Sequence, residues 1–392
     1  EKQWTNLERK AAQARAFSQN KEYILPLKLD DTEIPGINET TGYVKVLRFA
    51  KDTHEEFMQA MRKLKSEGMS KLVLDLRNNT GGYMKSAFDM CDEFLPKGKL
   101  IVYTEGKARS KREYFATSRG ELENIEVAVL INENSASASE ILAGALQDND
   151  IGYIVGRRSF GKGLVQRPKP LTYGTQVKIT ISRYYTPSGR CIQSLDYWNR
   201  DDKGEAVRVK QENYNAYKTK NGRQVFDGGG VFPDENLGTL KNSAVINAIA
   251  NENLIFDFAT QYYYNNQITE IDKFKLSASD FSNFKNYLKA NNFTFETQTE
   301  KVLLKAFETA KKEDLSDAIK NDYNTLISNL NTSKTKAIDE NKAYLLTLLT
   351  KEIVKRYVYR EGLYDYYKIN DPKIKKATEI LNSPLTYSNY LR

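Results

Sequence analysis

Three serines stand on alternate residues in "NENSASASEILAGALQD", Asn132 to Asp148, immediately ahead of an apolar helical pattern. Ser137-x-x-Glu140 matches a capping box, which does no more than satisfy orphan N–H groups at a helix N-terminus. The same placement suits a nucleophile. A serine at a strand-to-helix turn lies in the positive field of the helix and leaves the next N–H free to hold an oxyanion. Further along, "VGRRSFGKGLVQ" sets Lys162 between two glycines. Gly156, Gly161 and Lys162 nearly complete a phosphate-binding loop, but position 163 is Gly where a hydroxyl would hold magnesium. The next residues, "LVQRPKPL", read as a strand and a proline-broken loop, whereas a bound phosphate needs a helix N-terminus. A glycine-flanked lysine drawn into a tight interior position has another use, because excluding water disfavours an ammonium and turns a lysine into a base.

Histidine limits the choice of base. The only one, His54, falls in the first turn of a surface-type helix far from any other catalytic signal, where it reads as a solvated residue. Serine chemistry here therefore calls for lysine in its place. A third stretch, "LDLRNNTGGYM", is either an ordinary Asn- and Gly-rich turn or a loop whose bare N–H groups reach a substrate carbonyl.

Alternating strand and helix patterns must position these stretches. Thr53 opens a helix with a capping box to Glu56; Phe57, Met58, Met61 and Leu64 line one face, and Gly68 ends it. A buried strand comes next over 71–76, then the Gly-Gly loop, a helix near 84–95, and strands at "LIVYT" and 127–131. The serine helix and a strand over 153–155 complete the run. Apolar strands separated by helices predict a largely parallel sheet buried on both faces. "LVQ" and the alternating "TQVKITISRYY" predict β-structure closing that domain. From about 240, glycine nearly disappears and patterns such as "KAYLLTLLTKEIVKRYVY" carry apolar residues at helical spacing. The expected divisions are an N-terminal helical segment and connection over 1–41, an α/β core over 42–239 and a helical domain over 240–392.

Composition excludes several function classes. With 40% apolar and 28% charged residues, the 392-residue chain can bury a sizeable core and is neither wholly disordered nor collagen-like. The net charge of +8 comes from 59 basic residues interspersed with 51 acidic ones, which reads as a solvated surface and not as a nucleic-acid face. Two cysteines, Cys91 and Cys191, with no CxxC spacing argue against zinc and leave both a disulfide and two separate thiols open. No apolar run reaches the ~18 residues of a membrane span. The opening "EKQWTNLERK" lacks the plan of a signal peptide, so any export signal is expected to lie outside these residues.

Taken in order and spacing, "LVLDLRNNTGG", "ENSASASEILAGALQDND", "GRRSFGKGLVQ" and "RYYTPSGRCIQ" resemble the C-terminal processing peptidases, or tail-specific proteases. The resemblance is strong over residues 42 to 235, and the Lys-, Asn- and Tyr-rich remainder looks like the helical extension of the Bacteroidetes-type branch. It implies a crotonase-like (ClpP/crotonase-type) α/β protease core with an all-helical C-terminal domain. Ser137 matches the family nucleophile, Lys162 its general base, Gln166 the residue that orients the lysine, and Asp148 a supporting acid. The oxyanion hole would be the Ala138 N–H with an N–H from Gly81 or Gly82. If Ser137 is the nucleophile, Glu140 is expected to face elsewhere or to bond only backbone.

By the same resemblance the enzyme needs no cofactor, metal or nucleotide, and it cleaves proteins with exposed C-termini. It is exported to the periplasm or cell envelope and admits a homodimer. The family usually carries a PDZ domain ahead of the core, where only about 40 residues stand here; that domain is naturally absent, deleted or outside the sequence. Two rival functions remain at this level, a catalytically silent scaffold that binds tails and a P-loop nucleotide-binding protein.

Overall fold

The computed structural model describes residues 24–27, 41–117, 119–238 and 243–391. The helix-prone start at 1–22 and most of the connection to 41 lie outside these residues. Two compact units divide the chain, one of Glu1–Thr239 with Lys368–Arg392, the other of Leu240–Tyr367.

The first unit is built on a six-stranded sheet. Its strands are β1 (Ile24–Leu27), β2 (Thr41–Val46), β3 (Lys71–Asp75), β6 (Glu126–Ile131), β7 (Gly152–Gly156) and β14 (Glu235–Asn236), adjacent in that order. All neighbours run parallel except β1 against β2. Helices α1 (Thr53–Ser66), α2 (Met84–Phe94) and α3 (Ala138–Asp148) supply the crossovers that parallel pairing requires. Leu72 and Leu74 of β3 and Val127 and Val129 of β6 join Phe57, Met61, Met90 and Leu142 of these helices in one apolar cluster. At α1 the N-cap is Asp52. Thr53 does not close the expected box with Glu56; its hydroxyl instead donates to Arg48 C=O at 3.1 Å and accepts from Ala50 N–H at 2.8 Å.

A second sheet, antiparallel, orders β5 (Arg109–Phe115), β4 (Leu100–Gly106), β9 (Gln176–Tyr185) and β8 (Leu164–Pro170). Two small hairpins complete the unit, β10 (Leu195–Arg200) with β11 (Ala206–Arg208), and β12 (Ala216–Lys218) with β13 (Gln224–Phe226).

Among the described residues the helices of the second unit begin at Ala244, and the last two helices fall in the first unit. Successive strand residues face opposite sides, so a parallel sheet needs cover on both. That cover comes from the end of the chain: α10 (Pro372–Leu381) and α11 (Pro384–Leu391) pack on β3, β6 and β7. Lys71 Nζ donates to Leu381 C=O at 2.8 Å, Tyr387 Oη accepts from Val127 N–H at 2.9 Å, and the rings of Tyr153 and Tyr390 meet at 4.7 Å.

The second unit is helical: α4 (Ala244–Asn251), α5 (Leu254–Asn265), α6 (Ala278–Ala290), α7 (Gln298–Lys312), α8 (Ser316–Glu340) and most of α9 (Lys342–Asn370), which kinks at Tyr359 with φ 56°. Ser277 and Thr297 cap α6 and α7, each accepting from the N–H three residues on. Val245, Ile249, Phe258, Phe284, Leu345 and Leu349 form its core. Among the described residues no helix is long and apolar enough to cross a membrane.

Candidate active site

The turn between β6 and α3 presents the three serines differently. Ser135, fully buried, donates to Leu76 C=O at 2.8 Å, and Ser139 donates to Asn79 C=O at 2.9 Å. Both fasten the turn to the end of β3. Ser137 between them is half-buried and serves as N-cap of α3 with φ 57° and ψ −113°. A positive φ at a serine is strained and persists only where the surroundings over-determine it.

Those surroundings are polar. Glu140, fully buried, accepts from Ser137 N–H at 2.8 Å and from Lys162 N–H at 2.9 Å on its Oε2, and from Gly161 N–H at 2.7 Å and Ser159 Oγ at 2.5 Å on its Oε1. Thus one side chain fastens the serine turn to the lysine loop. The expectation that Glu140 would face elsewhere or bond only backbone gives way here, since Ser159 adds a hydroxyl. Burial pushes the Glu140 carboxyl above its ordinary range, opposed by the four donors. From the other side Tyr184, also buried, donates its hydroxyl to Lys162 C=O at 2.5 Å and lies 3.3 Å from Ser137 C=O.

The glycine pair is forced by close approach. A Cβ on Gly81 (φ 94°) would stand 2.9 Å from both Ser137 Cβ and Ala138 N, and one on Gly82 (φ 151°) would fall 1.9 Å from Phe49 O. Asn79, fully buried, sets the loop: its Oδ1 accepts Gly81 N–H at 2.9 Å and its Nδ2 donates to Val46 C=O at 2.9 Å. The root of the loop is an ionic cluster. Asp75 takes Arg77 Nη2 at 2.7 Å, Tyr43 Oη at 2.7 Å and Lys45 Nζ at 3.2 Å, and Arg77 reaches Asp371, the N-cap of α10, at 2.6 Å.

Ser137, Ala138, Gly81, Gly82 and the backbone of Lys162 thus come together. Lys162 is half-buried between buried glycines, and no hydrogen bond joins its Nζ to Ser137 Oγ. Gln166 lies on β8, where its amide donates to Thr180 Oγ1 at 3.4 Å. Asp148 stands at the far end of α3, an 11-residue helix of about 16 Å, and pairs with the fully buried Arg190 at 2.8 Å. His54 is not simply solvated, for its Nε2 lies 2.9 Å from Glu93 Oε1 on α2. After Gly163 the chain enters β8, so the near-match to a phosphate loop lacks its helix. Cys91 and Cys191 are free thiols.

Sequence reasoning missed the roles of Glu140, Tyr184, Asn79 and Asp371. Glu140 carried a signal, its spacing from Ser137, which pointed to the serine turn but not to the lysine loop.

Residues 40–197 match the model of peptidase family S41, and residues 245–381 match that of the probable PDZ-protease C-terminal helical domain. A carboxyl-terminal-processing protease of Synechocystis sp. is 36% identical over 168 residues, 43% of this chain and 38% of the relative. A probable CtpA-like serine protease of Staphylococcus aureus is 33% identical over 223 residues, 56% of this chain and 43% of the relative. The chain therefore spans about two fifths of the length of these curated relatives. A solved photosystem II D1 C-terminal processing protease is 28% identical with a TM-score of 0.42, covering 55% of this chain and 48% of that one.

Proposed function

We propose that this chain, whose residues 40–197 match the model of peptidase family S41, is a serine endopeptidase cutting proteins near their C-terminal tails, with Ser137 as nucleophile and Lys162 as base. One observation carries the reading: the N–H groups of Ser137 and Lys162 share a single carboxylate oxygen of Glu140, at 2.8 and 2.9 Å. Such a bridge holds two sequence-distant segments side by side, which a helix cap alone does not require.

In the proposed reaction Lys162, as the free amine, takes the Ser137 hydroxyl proton while Ser137 Oγ bonds to the peptide carbonyl carbon. The resulting oxyanion lies against Ala138 N–H, the first of α3, and Gly82 N–H; Gly81 N–H is already donated to Asn79. Lys162 then passes its proton to the leaving amine as the C–N bond breaks, leaving an acyl-enzyme. Water, deprotonated by the same amine, releases the product acid. Gln166, whose contact with Thr180 is long, is assigned to orienting Lys162 when substrate is present. Asp148 acts at a distance by pairing with Arg190 in the turn after β9. Hydrogen bonds of this kind commonly tighten only with substrate in place.

The test is cleavage of an unfolded protein with a free apolar C-terminus, comparing the parent with Ser137→Ala and Lys162→Ala. Each substitution should cost at least about a thousandfold in kcat. Retained cleavage would overturn the assignment, and tail binding without cleavage in the parent would favour a silent scaffold. An envelope location and a homodimer belong to the same proposal and are read out by cell fractionation and by sedimentation of the purified chain.

A further inference from the structure

The backbones of Ser137 and Lys162 are held at both polar ends. Their N–H groups converge on Glu140 Oε2, and their carbonyls converge on the hydroxyl of Tyr184, which donates to Lys162 C=O at 2.5 Å and lies 3.3 Å from Ser137 C=O. Tyr184 sits on β9, whose neighbour β8 begins just after Lys162. Its own N–H donates to Gly163 C=O at 2.9 Å, so the phenol is in fixed register with the lysine loop. The ring is 1% exposed and packs within the main apolar cluster, where a phenylalanine would fill the same space. Packing therefore explains the ring and leaves the hydroxyl unexplained.

A phenolic hydroxyl has one proton to give. Directed chiefly at Lys162 C=O and within reach of Ser137 C=O, it fixes the lysine loop against the one residue of the serine turn that is held in a strained conformation. We propose that Tyr184 is a positioning residue which, through the two backbone carbonyls, sets the separation of Ser137 Oγ and Lys162 Nζ for proton transfer. This rests on the Ser-Lys reading above. Burial raises the Tyr184 phenol well above its ordinary range, so the hydroxyl keeps the proton it donates across neutral pH.

The experiment uses the full chain and four proteins: the parent, Ser137→Ala, Lys162→Ala and Tyr184→Phe. Each is assayed for cleavage of the unfolded substrate, for its rate of labelling by a fluorophosphonate, and for thermal unfolding. Tyr184→Phe should lower kcat and the labelling rate by about tenfold or more, the equivalent of one hydrogen bond, while KM stays within about twofold. Its pH–rate profile should also be displaced, which a purely structural role would not produce.

Parental kcat, labelling and pH profile in Tyr184→Phe, with Ser137→Ala and Lys162→Ala inert, would overturn this inference alone. Activity surviving in Ser137→Ala or Lys162→Ala, or a parent neither active nor labelled, would overturn the Ser-Lys reading and this inference with it. Should Tyr184→Phe lose its thermal transition, 3,5-difluorotyrosine at position 184 keeps ring and hydroxyl while acidifying the phenol. Donating more strongly to the same two carbonyls, the acidified phenol should shift kcat and the labelling rate from the parent by about threefold or more, and parental values of both would overturn the proposal.

Discussion

Asp75 and Glu140 are carboxylates buried in the same α/β unit, both 0% exposed, and they meet their charge in opposite ways. Asp75 is surrounded by cations, with Arg77 in a two-pronged contact at 3.0 and 2.7 Å and Lys45 at 3.2 Å. Burial alone would raise its pKa, yet the Arg77 and Lys45 charges hold the carboxyl well below the usual range. Glu140 meets no cation among its hydrogen-bond partners, only three N–H groups and one hydroxyl, and for it burial prevails and the pKa is raised. Neutralising charges fix a rigid root beneath the glycine loop. Dipoles satisfy the Glu140 carboxylate and, in doing so, tie the backbones of Ser137 and Lys162 to one oxygen.

The largest effect expected on this contrast comes from Asp75→Asn, which leaves Arg77 and Lys45 buried without their main counter-charge. It should cost about 3–5 kcal/mol in urea unfolding. Glu140→Gln removes no ion pair but turns an acceptor into an NH2 facing N–H donors. It should cost on the order of 2–3 kcal/mol and a larger share of kcat than Asp75→Asn, because the groups it strands belong to Ser137 and Lys162. If the two variants lose activity only in proportion to stability, the contrast between root and site collapses.

Acidification should separate the two carboxylates further. Asp75 has a depressed folded pKa, so its stabilising contribution is complete above the ordinary Asp range and drains away as pH falls below it. Glu140 has a raised folded pKa, so protonating it restores stability while depriving the donors of an acceptor. The acid loss of urea-unfolding stability seen in the parent should therefore be blunted in Asp75→Asn and kept in Glu140→Gln, and equal acid profiles in the two variants would erase the difference. The smallest effect is assigned to Asp371→Ala. Asp75 still neutralises Arg77 in that variant, so a loss of about 1–2 kcal/mol is expected in the same unfolding assay.

Local patterns in the sequence made much of this molecule legible. The strand and helix alternation from residue 41 to 185 matches the two sheets and three crossover helices, because period-2 and period-3.6 apolar patterns are satisfied by whichever side of an element faces the core. Ser137, Gly81, Gly82 and Lys162 could be singled out because each carries its signal in its immediate neighbours. Thr53 shows the limit even at short range, since a capping pattern fits several hydrogen-bond arrangements and the hydroxyl went to Arg48 and Ala50 instead of the helix.

By itself the sequence determined the α/β order, the serine turn, the glycine pair and the helical character of the region past 240, all features settled by contacts a few residues apart. Only the tertiary structure decided that Glu140 would take the N–H groups of both Ser137 and Lys162, and that Asp371 would close on Arg77 across 294 positions. It also decided that the last two helices would cover the second face of the sheet. A buried polar group must find a partner somewhere, but which one it finds depends on the path of the whole chain, and no local periodicity encodes that path.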